Sequence, residues 1–255
     1  MTISKEEAQG ITRAFVADYP GALELAYYFR STVSDLYGAS AGTLPTNLKG
    51  GYLSQATEHQ GKMYRGRVDV PLDNMRDAAD MLASLRHEVL GHYGINTLAA
   101  TQKRALLDAV VDARDAPGMK VLWEAVNRAY EGWALDIRAE EVFALQCEVL
   151  LPARNMPADR VAAGAEAFNG VCMERQRLMG LDDLEAMAYF VADRLRNRNC
   201  PQLTIPGVND IRRADRMDGS GVIGNPSLRS IFADGQGHQV AMAPMPDSRV
   251  RRLTA

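Results

Sequence analysis

Apolar residues along most of the chain recur at three- and four-residue steps, the spacing of one helix face. Ser4 to Ala17 follows it, and Ala22, Leu23, Leu25, Ala26 and Phe29 predict a second helix from Pro20, where proline suits a first turn. Gly38 to Gly51, rich in small and polar residues and holding Pro45, reads as a loop that borders any site nearby. From Met63 to Leu72 the β-formers Tyr64, Val68 and Val70 alternate with Arg65, Arg67 and Asp69 before Pro71, which predicts an edge strand. Asp73 or Asn74 can cap a helix whose apolar positions Met75, Ala78, Ala79, Leu82 and Leu85 lead to His87. Further helices are predicted over Gln102 to Asp112, Met119 to Tyr130, Ala134 to Leu150, Pro157 to Met179 and Asp182 to Arg196, with Gly180 between the last two.

The predicted class is α+β: a mainly helical domain over residues 1–200 with a small β-sheet. After Cys200 the chain turns to Gly, Pro, Asn, Asp and Arg, so residues 201–255 are expected to form an irregular or partly disordered extension. Its arginines, Arg212, Arg213, Arg216, Arg229, Arg249, Arg251 and Arg252, are largely offset by Asp210, Asp215, Asp218, Asp234 and Asp247. A solvated tail is the default, and a segment folding across the site is the functional alternative. There is no internal repeat.

Composition adds exclusions. The formal charge of −3 over 255 residues gives no long-range pull toward nucleic acid, and no such partner is expected. Cys147, Cys172 and Cys200 are odd in number, widely spaced and outside any CxxC pattern. They fit a reducing compartment, and a cytoplasmic location is expected. No apolar stretch reaches the length needed to cross a bilayer.

The chemistry concentrates in Arg86-His87-Glu88-Val89-Leu90-Gly91-His92-Tyr93-Gly94, which reads HExxGH. Histidines four apart share a helix face, and a glutamate beside the first points at water on their metal. Here they are five apart. On a regular α-helix five residues rotate about 140° beyond one turn, too far for both rings to reach one ion. A π-type bulge would restore the alignment, and Gly91 makes such a deformation cheap. A zinc site also needs a third ligand. Glu141 shares an inward face with Ile137, Ala144 and Leu145, and an ionised glutamate there is costly unless bound to a cation. Its neighbour Glu140 can orient a ligand histidine. The plainer reading makes the histidines a core and a surface residue, and the glutamates a solvated face. His59 and His238 read as loop histidines, and Trp123 and Trp133 as packing anchors.

HExxGH followed by a helix bearing paired glutamates resembles the dipeptidyl-peptidase III type of zincin. It resembles more closely the HExxGHxG zincin domains within large polyvalent proteins of phages and plasmids, whose later helix reads EExxA, here Glu140-Glu141-Val142-Phe143-Ala144. The Glu-Gly-Phe-Ala helix of aminopeptidase zincins is similar as well. The resemblance covers roughly Met63 to Leu150. It implies a gluzincin-like metallopeptidase with one zinc ion on His87, His92 and Glu141, and Glu88 as catalytic base. Ala144 is followed by Leu145, where the dipeptidyl-peptidase III pattern continues differently, and the chain is too short for that two-lobed enzyme.

On this reading a zinc-bound water, deprotonated by Glu88, attacks a peptide bond in a peptide or protein substrate. Tyr130, Tyr93 and His238 are candidate donors to the oxyanion, and a free edge of the Tyr64 to Val70 strand is the candidate peptide track. Two other readings stand beside it. One is a catalytically silent, zinc-stabilised interaction module of a phage or plasmid, and the other a helical protein without metal.

Overall fold

The computed structural model describes residues 2–44, 47–200 and 250–251. The expectation of an irregular extension over 201–255 therefore lies outside the described residues, apart from Val250–Arg251. The described strands are Leu25–Arg30 (β1), Gly50–Leu53 (β2), Thr57–His59 (β3), Lys62–Tyr64 (β4), Gly66–Pro71 (β5) and Val250–Arg251 (β6). The α-helices are Lys5–Asp18 (α1), Val33–Tyr37 (α2), Ala78–Leu85 (α3), Gly94–Asn96 (α4), Ala100–Asp112 (α5), Met119–Ala129 (α6), Leu135–Glu148 (α7), Ala158–Ala167 (α8) and Leu181–Arg196 (α9). Between α3 and α4 the helix runs on as a π-helix, Arg86–Tyr93. The fold is α+β with a helical majority. No helix among the described residues is long and apolar enough to cross a membrane.

Four strands form one mixed sheet in the order β1-β5-β2-β6. β1 runs parallel to β5, with Leu25 opposite Gly66, and β2 runs antiparallel to it, with Tyr52 opposite Val68. β3 and β4 make a separate hairpin whose two-residue turn, Gln60 and Gly61, has positive φ at both positions, the twist-matched geometry for such a loop. One large apolar core joins the sheet to the helices, from Phe15 and Tyr52 through Leu85, Leu90 and Phe143 to Met187.

Three predicted elements are corrected. The helix expected from Pro20 to Phe29 is a short 3-10 turn, Pro20–Glu24, followed by strand β1. Its apolar spacing suited a helix, but Tyr27, Tyr28 and Phe29 favour extended backbone and the parallel partner β5 lies far along the chain. The stretch expected to be an edge strand is central instead: β5 lies between β1 and β2, with Asp69 fully buried. The alternating charges misled because they compensate one another inside. Arg67 donates two hydrogen bonds to Asp69 Oδ2, at 3.1 and 2.7 Å, and stacks on the Tyr28 ring. The peptide track proposed along that edge falls with it. The helix predicted from Pro157 to Met179 is α8 followed by a π turn over Phe168–Met173, and the chain then leaves helical geometry at Arg175, where φ is 53°.

α3 is capped by Asp77, whose carboxylate accepts from Asp80 N at 2.8 Å, rather than by Asp73 or Asn74. Asp80 in turn pairs with Lys49 and Arg76 and ties the approach to β2 against α3. Burial works to raise the Asp80 carboxyl, but hydrogen bonds from Arg76 and Lys49 outweigh it and hold the group at about 2. Since folding lowers this pKa from an ordinary value of about 3.9, its stabilising contribution is complete above about pH 4. It is lost as the pH falls through about 2. Asp80→Asn is therefore expected to flatten the fall of the unfolding midpoint across that window. Parallel acid limbs for variant and wild type would show that the pair contributes nothing there.

Candidate metal centre

The motif residues sit in the middle of the longest helical run. α3 brings the chain to Leu85 buried, and the π segment that follows carries His87, Glu88 and His92 at 0–1% exposure. The wider π turn places positions five apart on one face, as the spacing of the histidines requires. Their ring centroids are 5.0 Å apart with planes at 69°. Packed along this segment is α7, whose Glu141 is fully buried and reaches both rings. Glu141 Oε2 lies 3.3 Å from His87 Nε2, and Glu141 Oε1 lies 3.5 Å from His92 Nε2.

These distances fit a metal. With metal–ligand bonds of about 2.0–2.1 Å, the edge of a tetrahedral zinc site is about 3.3–3.4 Å. One ligand atom from each of the three residues can be chosen so that all lie within 4.8 Å of one another. The donor set, two imidazoles and one carboxylate, is one zinc takes with a fourth position left for water. Charge points the same way. Glu88, Glu140 and Glu141 are 0–4% exposed, and Lys103 pairs with Glu140 at 2.8 Å. Carboxylates held out of water are costly unless positive charge offsets them, and a divalent ion is one source of it.

The far side of each ring is also held. Glu140 Oε1 lies 3.1 Å from His92 Nδ1, where sequence reasoning placed this residue. Sequence reasoning missed Glu148, whose Oε1 lies 2.7 Å from His87 Nδ1. A signal for it existed: Glu148 follows Glu141 by seven residues, two helical turns, and so returns to the same face. Lys103 and Asn96 had no such signal. Lys103 Nζ donates to Asn96 Oδ1 at 2.7 Å, and Asn96 Nδ2 donates to His92 O at 2.9 Å. The two join Glu140 in a ring of contacts around His92.

Two glycines set how closely the parts approach. A Cβ on Gly91 would stand 2.7 Å from both Cα and Cβ of Ala144, so this glycine lets the π segment lie directly on α7. Gly91 lies within the π segment, where the sequence reading put a backbone distortion, and it has no positive φ. A Cβ on Gly50, at the start of β2, would stand 2.8 Å from Ser84 Oγ and 3.0 Å from Glu88 Oε1. The loop expected to border the site thus does so at its end, through bare backbone.

Nearby, the Tyr37 phenol and the Asp69 carboxylate are buried close enough to act on each other. Burial first, and then the charge of Asp69, push the phenol well above the ordinary value, with Glu88 adding to the effect. Burial also raises Asp69, against the pull of Arg67. Of the oxyanion donors considered from the sequence, Tyr93 instead donates to Gly21 O at 3.3 Å and Tyr130 packs edge-on against Trp133. His238 lies outside the described residues. His59 stands on the β3–β4 hairpin against Tyr28, and Trp123 is buried and donates to Val110 O, as a packing residue would.

Over 216 residues, 84% of its length, the chain is 53% identical to the DNA primase TraC of Escherichia coli. It spans only 15% of the length of that relative. No family model and no solved structure matches the chain.

The match to TraC corrects the zincin resemblance and the expectations drawn from it: metallopeptidase and hydrolase identity, peptide-bond hydrolysis, and a peptide or protein substrate. The relative carries the name of a different kind of enzyme. The alternative of a silent interaction module of a phage or plasmid gains no support either. The physical reason is that HExxGH and a glutamate pair specify where ligand atoms converge, not which bond is set before them. The exclusion of nucleic-acid partners is overturned on the same finding. A net charge near zero says nothing of how charge is distributed on a folded surface.

Proposed function

We propose that this chain is a metal-binding module of a DNA-primase-type protein, enzymatic and cytoplasmic, that works on nucleic acid. The observation that carries the reading is the 53% identity, over 84% of the chain, to a stretch of TraC. Within the module one zinc ion is held by His87, His92 and Glu141, on the support of their 3.3 and 3.5 Å spacings. Zinc held there would supply a Lewis-acidic centre with a fourth position open. Glu88, buried in the same π segment, is the residue we assign to act beside it, while Glu140 orients His92. The three thiols, all free, suit a reducing interior.

The test of the nucleic-acid reading is fluorescence anisotropy of a labelled single-stranded oligonucleotide titrated with the chain. Binding is expected, weakening steeply as salt rises because released counterions drive it. No anisotropy change at low salt, at chain concentrations to about 100 µM, the weak end of non-specific DNA affinity, would overturn it.

A further inference from the structure

We infer that Glu148 is the positioning residue for His87, fixing the tautomer and ring angle with which that histidine meets a metal. The inference rests on the proposed zinc site and deepens it.

An imidazole that ligates through Nε2 must carry its proton on Nδ1, and the group facing Nδ1 decides whether it does so. Both rings of the centre turn Nε2 toward Glu141 and Nδ1 toward another glutamate of the same helix, α7. For His87 that glutamate is Glu148, in the shorter of the two contacts, 2.7 Å against 3.1 Å. Glu140 also pairs with Lys103 at 2.8 Å, and the carboxylate of Glu148, with its side chain 16% exposed, meets His87 at the end of the helix. Arg86 secures Glu148 from the motif side through its backbone, donating from Nη1 to Glu148 O at 3.2 Å. The residue preceding His87 therefore holds the end of α7 in place, and the end of α7 holds His87.

A carboxylate on Nδ1 also makes the ring a better electron donor at Nε2, so its loss acts on metal affinity through the histidine. The experiment is zinc affinity by competition with a chromophoric chelator, on the full chain, for wild type, Glu148→Gln and Glu148→Ala. Beside it run the visible spectrum of the cobalt-substituted protein and the unfolding midpoint of the chelated protein. Glu148→Gln keeps an acceptor but not the charge, and is expected to bind zinc about 10-fold more weakly. Glu148→Ala is expected to approach 100-fold, the upper range for such partners. The cobalt bands should shift in both, while the chelated Glu148→Gln protein unfolds as wild type does. Wild type that takes up no zinc would overturn the metal site itself. Wild type that takes up zinc, with both variants within about twofold of it and unshifted cobalt spectra, would overturn the role of Glu148 alone. If Glu148→Ala fails to fold, Glu148→Gln decides.

Discussion

Gly91→Ala is expected to lose stoichiometric zinc uptake and to destabilise the fold by about 1–3 kcal/mol, the usual cost of forcing an extra carbon into a packed interior. Helix propensity alone predicts the opposite, since alanine is favoured over glycine by about 1 kcal/mol within a helix. The steric term wins because of what the new methyl would meet. Its nearest neighbours, at 2.7 Å, are the Cα and Cβ of Ala144, and a backbone carbon cannot swing aside as the end of a long side chain can. Relief requires α7 and the π segment to separate by a sizeable fraction of an ångström, and Glu141 travels with α7. Spacings of 3.3 and 3.5 Å to the two Nε2 atoms leave little slack for one ion. The double variant Gly91→Ala with Ala144→Gly removes one of the two clashes and should recover part of both losses. Denaturant unfolding and elemental analysis of the purified proteins measure the two effects. A Gly91→Ala protein with full zinc and unchanged stability would mean that the helices do not approach as described.

This pair of residues explains much of what the sequence made legible. HExxGH and EExxA each hold one half of a contact, Gly91 on one side and Ala144 on the other, and beside it the ligand atoms of His87, His92 and Glu141 converge. Local spacing therefore carried this convergence, and the five-residue interval between the histidines carried the π-helix. Glu148 was within reach of the same reasoning, by counting two turns beyond Glu141. The Lys103–Asn96 contacts around His92 depend on how α5 docks after the turn at Thr97, which no local pattern encodes.

The sheet was read less well for a related reason. β1 and β5 pair across the whole Gly38 to Tyr64 region, and parallel pairing leaves no turn signature between partners. The ion pair of half-buried Arg67 with buried Asp69 then imitated an exposed strand. Function was the least legible, because a motif that brings ligand atoms together is silent about what is brought to them.

Removing the metal should reverse the stability order of wild type and Glu141→Gln. With zinc free at about 1,000 times its dissociation constant, binding adds about 4 kcal/mol to the folded state. For a chain of this size that raises the unfolding midpoint by roughly 10 °C. Glu141→Gln, which offers a neutral amide in place of the carboxylate, forfeits most of that gain. In the chelated proteins the balance changes sign. Glu141 is fully buried against the two imidazoles, and with no divalent ion there its charge is desolvated. Protonation of His87 or His92 can offset part of this, through the contacts at 3.3 and 3.5 Å, but it burdens the core with further buried charge. The isosteric glutamine avoids both costs, so the chelated variant should unfold at or above the temperature of chelated wild type. Thermal melts of the two proteins, each with zinc and with chelator, give the four values needed. A wild type that exceeds the variant by the same margin in both conditions would mean that Glu141 stabilises the fold by a route that involves no metal.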